Sequence, residues 1–233
     1  MPNIAPRINI IIVAAGTGSR FGGKVPKQFC LMAGRPLLMH TIDAMRRALP
    51  GAKITVVLAS SMMVYWKELC RRYSFQSPDV TPGGASRWES VRNAVMLDSP
   101  YGENEIILVH DGARPLVDKR MVEMLVDSAR LVGAVIPVVA VTNSLRHLDG
   151  KGLSHAIDRS EYVAVQTPQA FDAGLLCQAY GQPFSPSFTD DASVVEALGH
   201  NITLVEGSTD NIKITNPGDI ETAELLMRRQ FNS

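Results

Sequence analysis

The chain has 233 residues, 45% hydrophobic and 20% charged, which is ordinary for a soluble globular protein with a sizeable core. Its 23 Lys plus Arg balance 23 Asp plus Glu, so the net charge is zero and nothing supports a nucleic-acid-coating or polybasic membrane protein. Three scattered cysteines with no C-x-x-C pair argue against a disulfide framework or a zinc site and suit a reducing, cytoplasmic setting. In chain order, the first element is the apolar run INIIIVA (8–14), a buried strand that stops in a glycine turn, too short for a signal peptide. PLLMHTIDAMRRAL follows as an amphipathic helix, then KITVVLA (53–59) as a second strand. SRWESVRNAVML is a helix that Ser86 and Glu89 start as a capping box. EIILVH (105–110), the helix DKRMVEMLVDSARL and GAVIPV (133–138) continue the alternation. The apolar stretch 131–141 contains a proline and is too short to cross a bilayer. Near the end, NPGDIETAELLMRRQ predicts a helix capped by Asn216 with Pro217 in its first position.

This alternation predicts an α/β fold: one Rossmann-like domain spanning 1–233, with a mostly parallel sheet covered by helices on both faces. Ligands of such sheets bind beyond the carboxyl ends of the strands, so the turn 14–27 and the turn DGARP (111–115) are expected to share a crevice. The segment 143–166 breaks the rhythm. DGKG separates two polar, alternating stretches there, which predicts a β-hairpin arm.

The glycine turn AAGTGSRFGGKVPKQF fits neither common phosphate loop. Phe21 stands where a dinucleotide turn needs its third glycine, and Val25 where a P-loop needs a hydroxyl. Its backbone N–H groups and the cations Arg20, Lys24 and Lys27 nevertheless suit an anion such as a triphosphate. Lys24 alone reads as a solvated charge. Asp111, just past a buried strand, is placed to hold Mg²⁺ or a substrate hydroxyl, to cap the turn, or to pair with Arg114. Lys213, between Ile212 and Ile214 in DNIKIT, is either edge-exposed or aimed at an anion. Arg159 by itself reads as an exposed charge on the arm. Thr189, Asp190 and Asp191 read as a helix start with acids in its first turn. The five histidines lack metal-ligand spacing, and no serine sits in a G-x-S-x-G setting.

Together AAGTGSRFGGKVPKQF, GGASRWESV, VHDGARP, DRSEYVAVQTPQAF, TDDAS and DNIKIT resemble, in this order, the 2-C-methyl-D-erythritol 4-phosphate cytidylyltransferases of the non-mevalonate isoprenoid pathway. The resemblance runs from about residue 8 to 229, and HDGARP with TPQ and DNIK is its most specific part. It implies transfer of CMP from CTP to methylerythritol phosphate with Mg²⁺ or another divalent cation. CTP would lie against Ala14, Ala15, Gly16, Thr17, Gly18 and Ser19, with base and ribose near Gly83, Gly84, Ser90 and Gly112. Arg20 and Lys27 would hold the phosphates, and Asp111 would lie by the metal and the second substrate, as would Thr167. Lys213 would steer the incoming phosphate. The resemblance also implies a homodimer whose arm brings Arg159 and Ser144 into the neighbouring site.

The chain departs from the family pattern at Ala85, where an acid is common, and at Asn143, where the arm reads NSLR in place of the frequent DTxK. Gly112 replaces a common alanine, a change expected to be tolerated. The nearest rival reading is a ribitol-5-phosphate cytidylyltransferase. More remote are an NAD(P)-dependent oxidoreductase, against which Phe21 argues, and a non-catalytic nucleotide-binding protein.

Overall fold

The first strand shows why the centre of the molecule is so apolar. In the computed structural model, which describes residues 7–16 and 25–231, alternate residues of β1 (Arg7–Ala14) enter two different cores. Ile10 and Ile12 join Val56, Leu58, Ile106 and Leu108 on one face of the sheet, whereas Ile11 joins Val57, Ile107 and Val109 on the other. A strand buried on both sides has no polar face, so it reads as a continuous run. Around it the chain lays down β2 (Leu31–Met32), β3 (Arg35–Pro36), α1 (Leu37–Ala48), β4 (Lys53–Leu58), α2 (Met63–Arg72), β5 (Asp79–Pro82), α3 (Arg87–Leu97), β6 (Glu105–Asp111) and α4 (Lys119–Val132). There follow β7 (Ala134–Ala140), β8 (Leu145–Leu148), β9 (Ser154–Ile157), β10 (Val163–Val165), β11 (Gln169–Asp172), α5 (Ala173–Tyr180), α6 (Asp191–Glu196), β12 (Thr203–Glu206) and α7 (Gly218–Phe231). Helices α1, α2 and α4 cover one face, and α3, α5 and α6 the other.

The predicted two-sided α/β sheet is present, with a mixed edge. Strands β5, β4, β1 and β6 are parallel neighbours, while β11 inserts antiparallel between β6 and β7. Strand β12 adds parallel to β7, and β10 pairs antiparallel with its far end. The predicted hairpin is β8–β9, paired from Leu145↔Ile157 to Leu148↔Ser154. The segment read as an arm is therefore narrower than 143–166, because Val163–Val165 rejoins the main sheet. Among the described residues no helix is long and apolar enough to cross a membrane, and Cys30, Cys70 and Cys177 are free thiols.

Helix α3 begins as predicted. Ser86 Oγ accepts from the Glu89 N–H at 3.1 Å, although the Glu89 carboxylate reaches back to the N–H of Ala85 rather than of Ser86. Helix α7 corrects the expected start. It opens at Gly218, not Pro217, and Asp219 accepts from the N–H groups of Thr215 and Asn216 in place of an Asn216 cap. A carboxylate one turn inside the helix reaches those donors and adds favourable charge at the positive end of the dipole.

Candidate active site

Four parallel strands end almost level, and their ends build the site. Register pairs Val13 with Asp111, Ala14 with Leu58, and Leu58 with Pro82. Two backbone bonds knit the turns that follow: Gly112 N–H to Val13 O at 2.9 Å, and Gly83 N–H to Leu58 O at 2.8 Å. The expected shared crevice results, a cleft of about 380 Å³ lined by Ala14, Ala15, Gly16, Lys27, Gly84, Arg87, Ser90, Asp111, Gly112 and Lys213 among others. That size suits a nucleotide. Gly83 abuts it, since a Cβ there would meet Ala15 Cβ at 2.6 Å and Ser90 Oγ at 2.8 Å. Gly112 is also required for space, because a Cβ would lie 2.9 Å from Ala14 Cβ and 3.1 Å from Val13 O. The expectation that glycine is tolerated in place of the family's common alanine agrees with this close approach, since glycine alone fits without a shift. Thr17, Gly18, Ser19 and Arg20, with Lys24, lie outside the described residues.

Both lysines line the cleft. Lys27 sits in a single 3-10 turn, Lys27–Phe29, and its Nζ donates to Ile214 O at 2.8 Å. The next residue back, Lys213, pairs its Nζ with Asp111 Oδ2 at 2.8 Å while remaining 43% exposed. Of the two readings of Lys213, it is thus the exposed one that also has an anionic partner. Arg114 Nε lies 3.6 Å from the same Asp111 oxygen, so the pairing with Arg114 read from the sequence is present as well. Burial pushes the Asp111 carboxyl up, but Lys213, Arg87 and Arg114 outweigh it and hold it at about 2. It is fully ionised at neutral pH. Segment 210–215 forms no strand; it is held by Ile214 N–H to Ala113 O at 2.9 Å and by Arg114 Nη1 to Asn211 O at 2.7 Å.

Three expected residues are not in the cleft. Thr167 is buried behind Asp111, where its Oγ1 accepts the Asp111 N–H at 3.0 Å and faces His110 Nδ1 at 3.0 Å. Its hydroxyl is committed to the protein, so contact with a substrate is not what this geometry gives it. Ser144 and Arg159 are exposed around the arm, and Arg159 donates to Thr142 O at the arm's base. Burial pushes the His110 imidazole down to about 4.

Other residues were not read as functional. Gln28 is buried, and its Nε2 donates to Ala14 O at 2.7 Å and Gly16 O at 3.0 Å, fixing the entry of the glycine turn. Arg87 lines the cleft and is held by two bonds, of 3.0 and 2.6 Å, to the fully buried carboxylate of Asp191, which also accepts from Tyr180 OH at 2.6 Å. Asp190 caps α6 as a helix start should, yet its neighbour Asp191 is a long-range ion-pair partner 104 residues from Arg87. A polar residue just after the glycine turn, between Lys27 and Phe29, was the available signal for Gln28. For Arg87 and Asp191 local sequence carries none.

The comparisons agree with this geometry. A model of the family described as 2-C-methyl-D-erythritol 4-phosphate cytidylyltransferase matches residues 8–229. Proteins of that name from Phocaeicola vulgatus and Bacteroides thetaiotaomicron are 43% and 44% identical over 220 residues, covering 94% of this chain and 99% of theirs. Among solved structures, the protein of that name from Thermus thermophilus superposes with a TM-score of 0.71 at 31% identity, covering 94% of this chain and 98% of that one. The protein of that name from Francisella tularensis gives 0.77 at 27% identity, covering 94% and 99%.

Proposed function

Because the chain belongs to the 2-C-methyl-D-erythritol 4-phosphate cytidylyltransferase family, we propose that its cleft transfers CMP from CTP to 2-C-methyl-D-erythritol 4-phosphate in isoprenoid precursor synthesis. The products are 4-diphosphocytidyl-2-C-methyl-D-erythritol and pyrophosphate. The observation that carries this reading is that Lys27, Lys213 and Asp111 line one cleft at the ends of the strands, with Lys213 paired to Asp111 and Lys27 bonded to the neighbouring Ile214 carbonyl. A phosphomonoester is largely dianionic near neutral pH, so its oxygen attacks the α-phosphorus without a strong base. The chemical difficulty is bringing two polyanions together. Lys27, beside the glycine turn, faces the nucleotide phosphates, and Arg20 in that turn joins it. Lys213 lies on the acceptor side and draws in the attacking phosphate. Fixed cations on both flanks offset the repulsion and stabilise charge developing on the leaving pyrophosphate.

The donor set also fits a divalent cation. Asp111 is ionised, and both of its ion pairs fall on Oδ2. Among the described residues no group of three potential metal ligands exists, which suits Mg²⁺ carried in with the triphosphate rather than a resident ion. Asp111 would hold it. When bound, such an ion supplies charge neutralisation at the phosphates.

The chain acts, on this reading, as one nucleotidyltransferase domain with an arm, within a homodimer in the cytoplasm. Ser144 and Arg159 then reach the acceptor phosphate of the neighbouring site. Their exposure, away from the cleft of their own chain, supports that arrangement. Thr167 serves the acceptor side through the backbone of Asp111. The decisive experiment is pyrophosphate release with CTP and Mg²⁺, comparing methylerythritol 4-phosphate with ribitol 5-phosphate. Rapid release only with the former is expected. Preference for ribitol phosphate, or silence with both, would overturn the assigned acceptor.

A further inference from the structure

His110 is the penultimate residue of the buried strand β6 and is completely shielded from solvent. Its two ring nitrogens have different partners. Nε2 lies 3.0 Å from the carbonyl oxygen of Arg114, which can only accept, so Nε2 bears the proton. Nδ1 of the neutral ring is then an acceptor, and Thr167 Oγ1, at 3.0 Å, donates to it. The same hydroxyl oxygen accepts the Asp111 N–H at 3.0 Å. A second path closes the circuit: Arg114 Nη1 donates to Asn211 O at 2.7 Å, and Asn211 Nδ2 donates to Thr167 O at 2.8 Å. The ring thereby holds both ends of the turn 111–114, one directly through the Arg114 carbonyl and the other through Thr167.

We propose that His110 is a positioning residue for the transfer reaction, fixing the Asp111 turn from behind so that its carboxylate is presented to Lys213 and the nucleotide. The imidazole touches neither substrate. It is suited to the task because one rigid ring offers an acceptor and a donor on opposite sides, in a space closed to bulk solvent. A phenylalanine would fill the volume but satisfy neither partner, leaving a buried carbonyl and a misdirected hydroxyl. The inference rests on the reading of Asp111 as the residue that serves CTP and its cation.

Three substitutions separate positioning from packing. His110→Asn places an amide oxygen near the Nδ1 position, so it retains the Thr167 link and loses the Arg114 link. His110→Gln reaches the Nε2 position and retains the reverse. His110→Phe loses both. Turnover, KM for CTP, the Mg²⁺ concentration for half-maximal rate and Tm are measured for each, together with amide hydrogen exchange at Asp111. The Phe variant is expected to lose about 10–100-fold in turnover and to need more Mg²⁺, as outer partners of a metal-serving carboxylate do. Asn is expected to recover most of the Mg²⁺ dependence and slow exchange at the Asp111 N–H, and Gln little of either. Equal losses in all three that follow Tm, with Mg²⁺ dependence unchanged, would overturn the proposal and leave His110 as packing. The exchange measurement needs no turnover. If the unsubstituted protein failed to use methylerythritol phosphate, the functional reading would fall, while protection at Asp111 ranked Asn above Phe would still support the clamp. Exchange at Asp111 that is the same in Asn and Phe would overturn it. Should Phe not fold, Asn against Gln serves instead: stronger protection in Asn supports the clamp, and equal protection overturns it.

Discussion

The carboxyl end of the sheet and the β8–β9 hairpin are two halves of one proposed machine, built in opposite ways. At the sheet end, the groups that would meet nucleotide are held by fixed partners: Asp111 by exposed Lys213 and buried Thr167, the glycine turn by Gln28, and Arg87 by Asp191. In the hairpin, Leu148 and Leu153 are 74% and 72% exposed, and Tyr162, Val163 and Val165 beyond it are also open to solvent. A two-stranded hairpin is marginal alone in water. Among the described residues, the groups proposed for the nucleotide are thus fixed by partners within the chain, while Ser144 and Arg159 are exposed and do not line its cleft. On the proposed reading, the difference teaches that a chain can hold one half-site by its own packing and leave the other to be completed by a neighbour.

The largest effect should come from the finished half. Lys27→Ala is expected to lower turnover at saturating CTP by about two to three orders of magnitude, the cost of a lost preorganised donor. Steady-state pyrophosphate release reads this directly, and an unchanged rate would remove Lys27 from the chemistry. Next comes the offered half. Arg159→Met and Lys27→Ala subunits are each nearly inactive alone, but after mixing, random exchange makes half the dimers mixed, each with one intact site. Recovery of about a quarter of the unsubstituted activity is expected for such a twofold assembly. No recovery after exchange verified by mass spectrometry would break the comparison.

Gly112→Ala sharpens it within the sheet end. The added methyl must push on Ala14 or on the Val13 carbonyl, so a stability loss of about 1–3 kcal/mol is expected, typical of overpacking. A denaturant midpoint equal to that of the unsubstituted chain would mean that the turn relaxes freely. The smallest effect belongs to Asp219→Asn at the start of α7. Hydrogen bonds from the Asn216 and Thr215 N–H groups hold the Asp219 carboxyl below the usual carboxylate range. A depressed folded-state pKa adds stability above the unfolded value of about 3.9, and this is lost as pH falls through the folded value. Asn keeps part of the cap and removes the charge, so its cost should be about 0.5–1 kcal/mol at neutral pH and smaller still in acid. Urea midpoints at pH 7 and pH 3 test this, and a penalty that grows on acidification would contradict the assigned cause.

Parts of the molecule were legible before folding was considered. Strands β1, β4 and β6 stand out because burial on both faces makes their centres continuous apolar runs. The Ser86 cap and the hairpin around residues 149–152 were legible because their chemistry is local. Strands β5, β11 and β12 were not. Each has four residues, β5 ends in a proline, and all three exist by pairing with longer neighbours. The narrowing of the arm has the same origin, since Val163–Val165 becomes a strand only against β7.

By itself the sequence determined the α/β alternation, the glycine turn, and the motifs that identify the family, all of which are patterns over a few neighbouring residues. Only the tertiary structure decided what those residues touch. Lys27 meets the carbonyl of Ile214 across 187 positions, Arg87 meets Asp191 across 104, and Thr167 turns away from the cleft to hold Asp111 and His110. The physical reason is that such partners are set by strand order. Crossovers bring the carboxyl ends of β1, β5 and β6 side by side, and a charge or hydroxyl acquires its role from the partners that burial there leaves it.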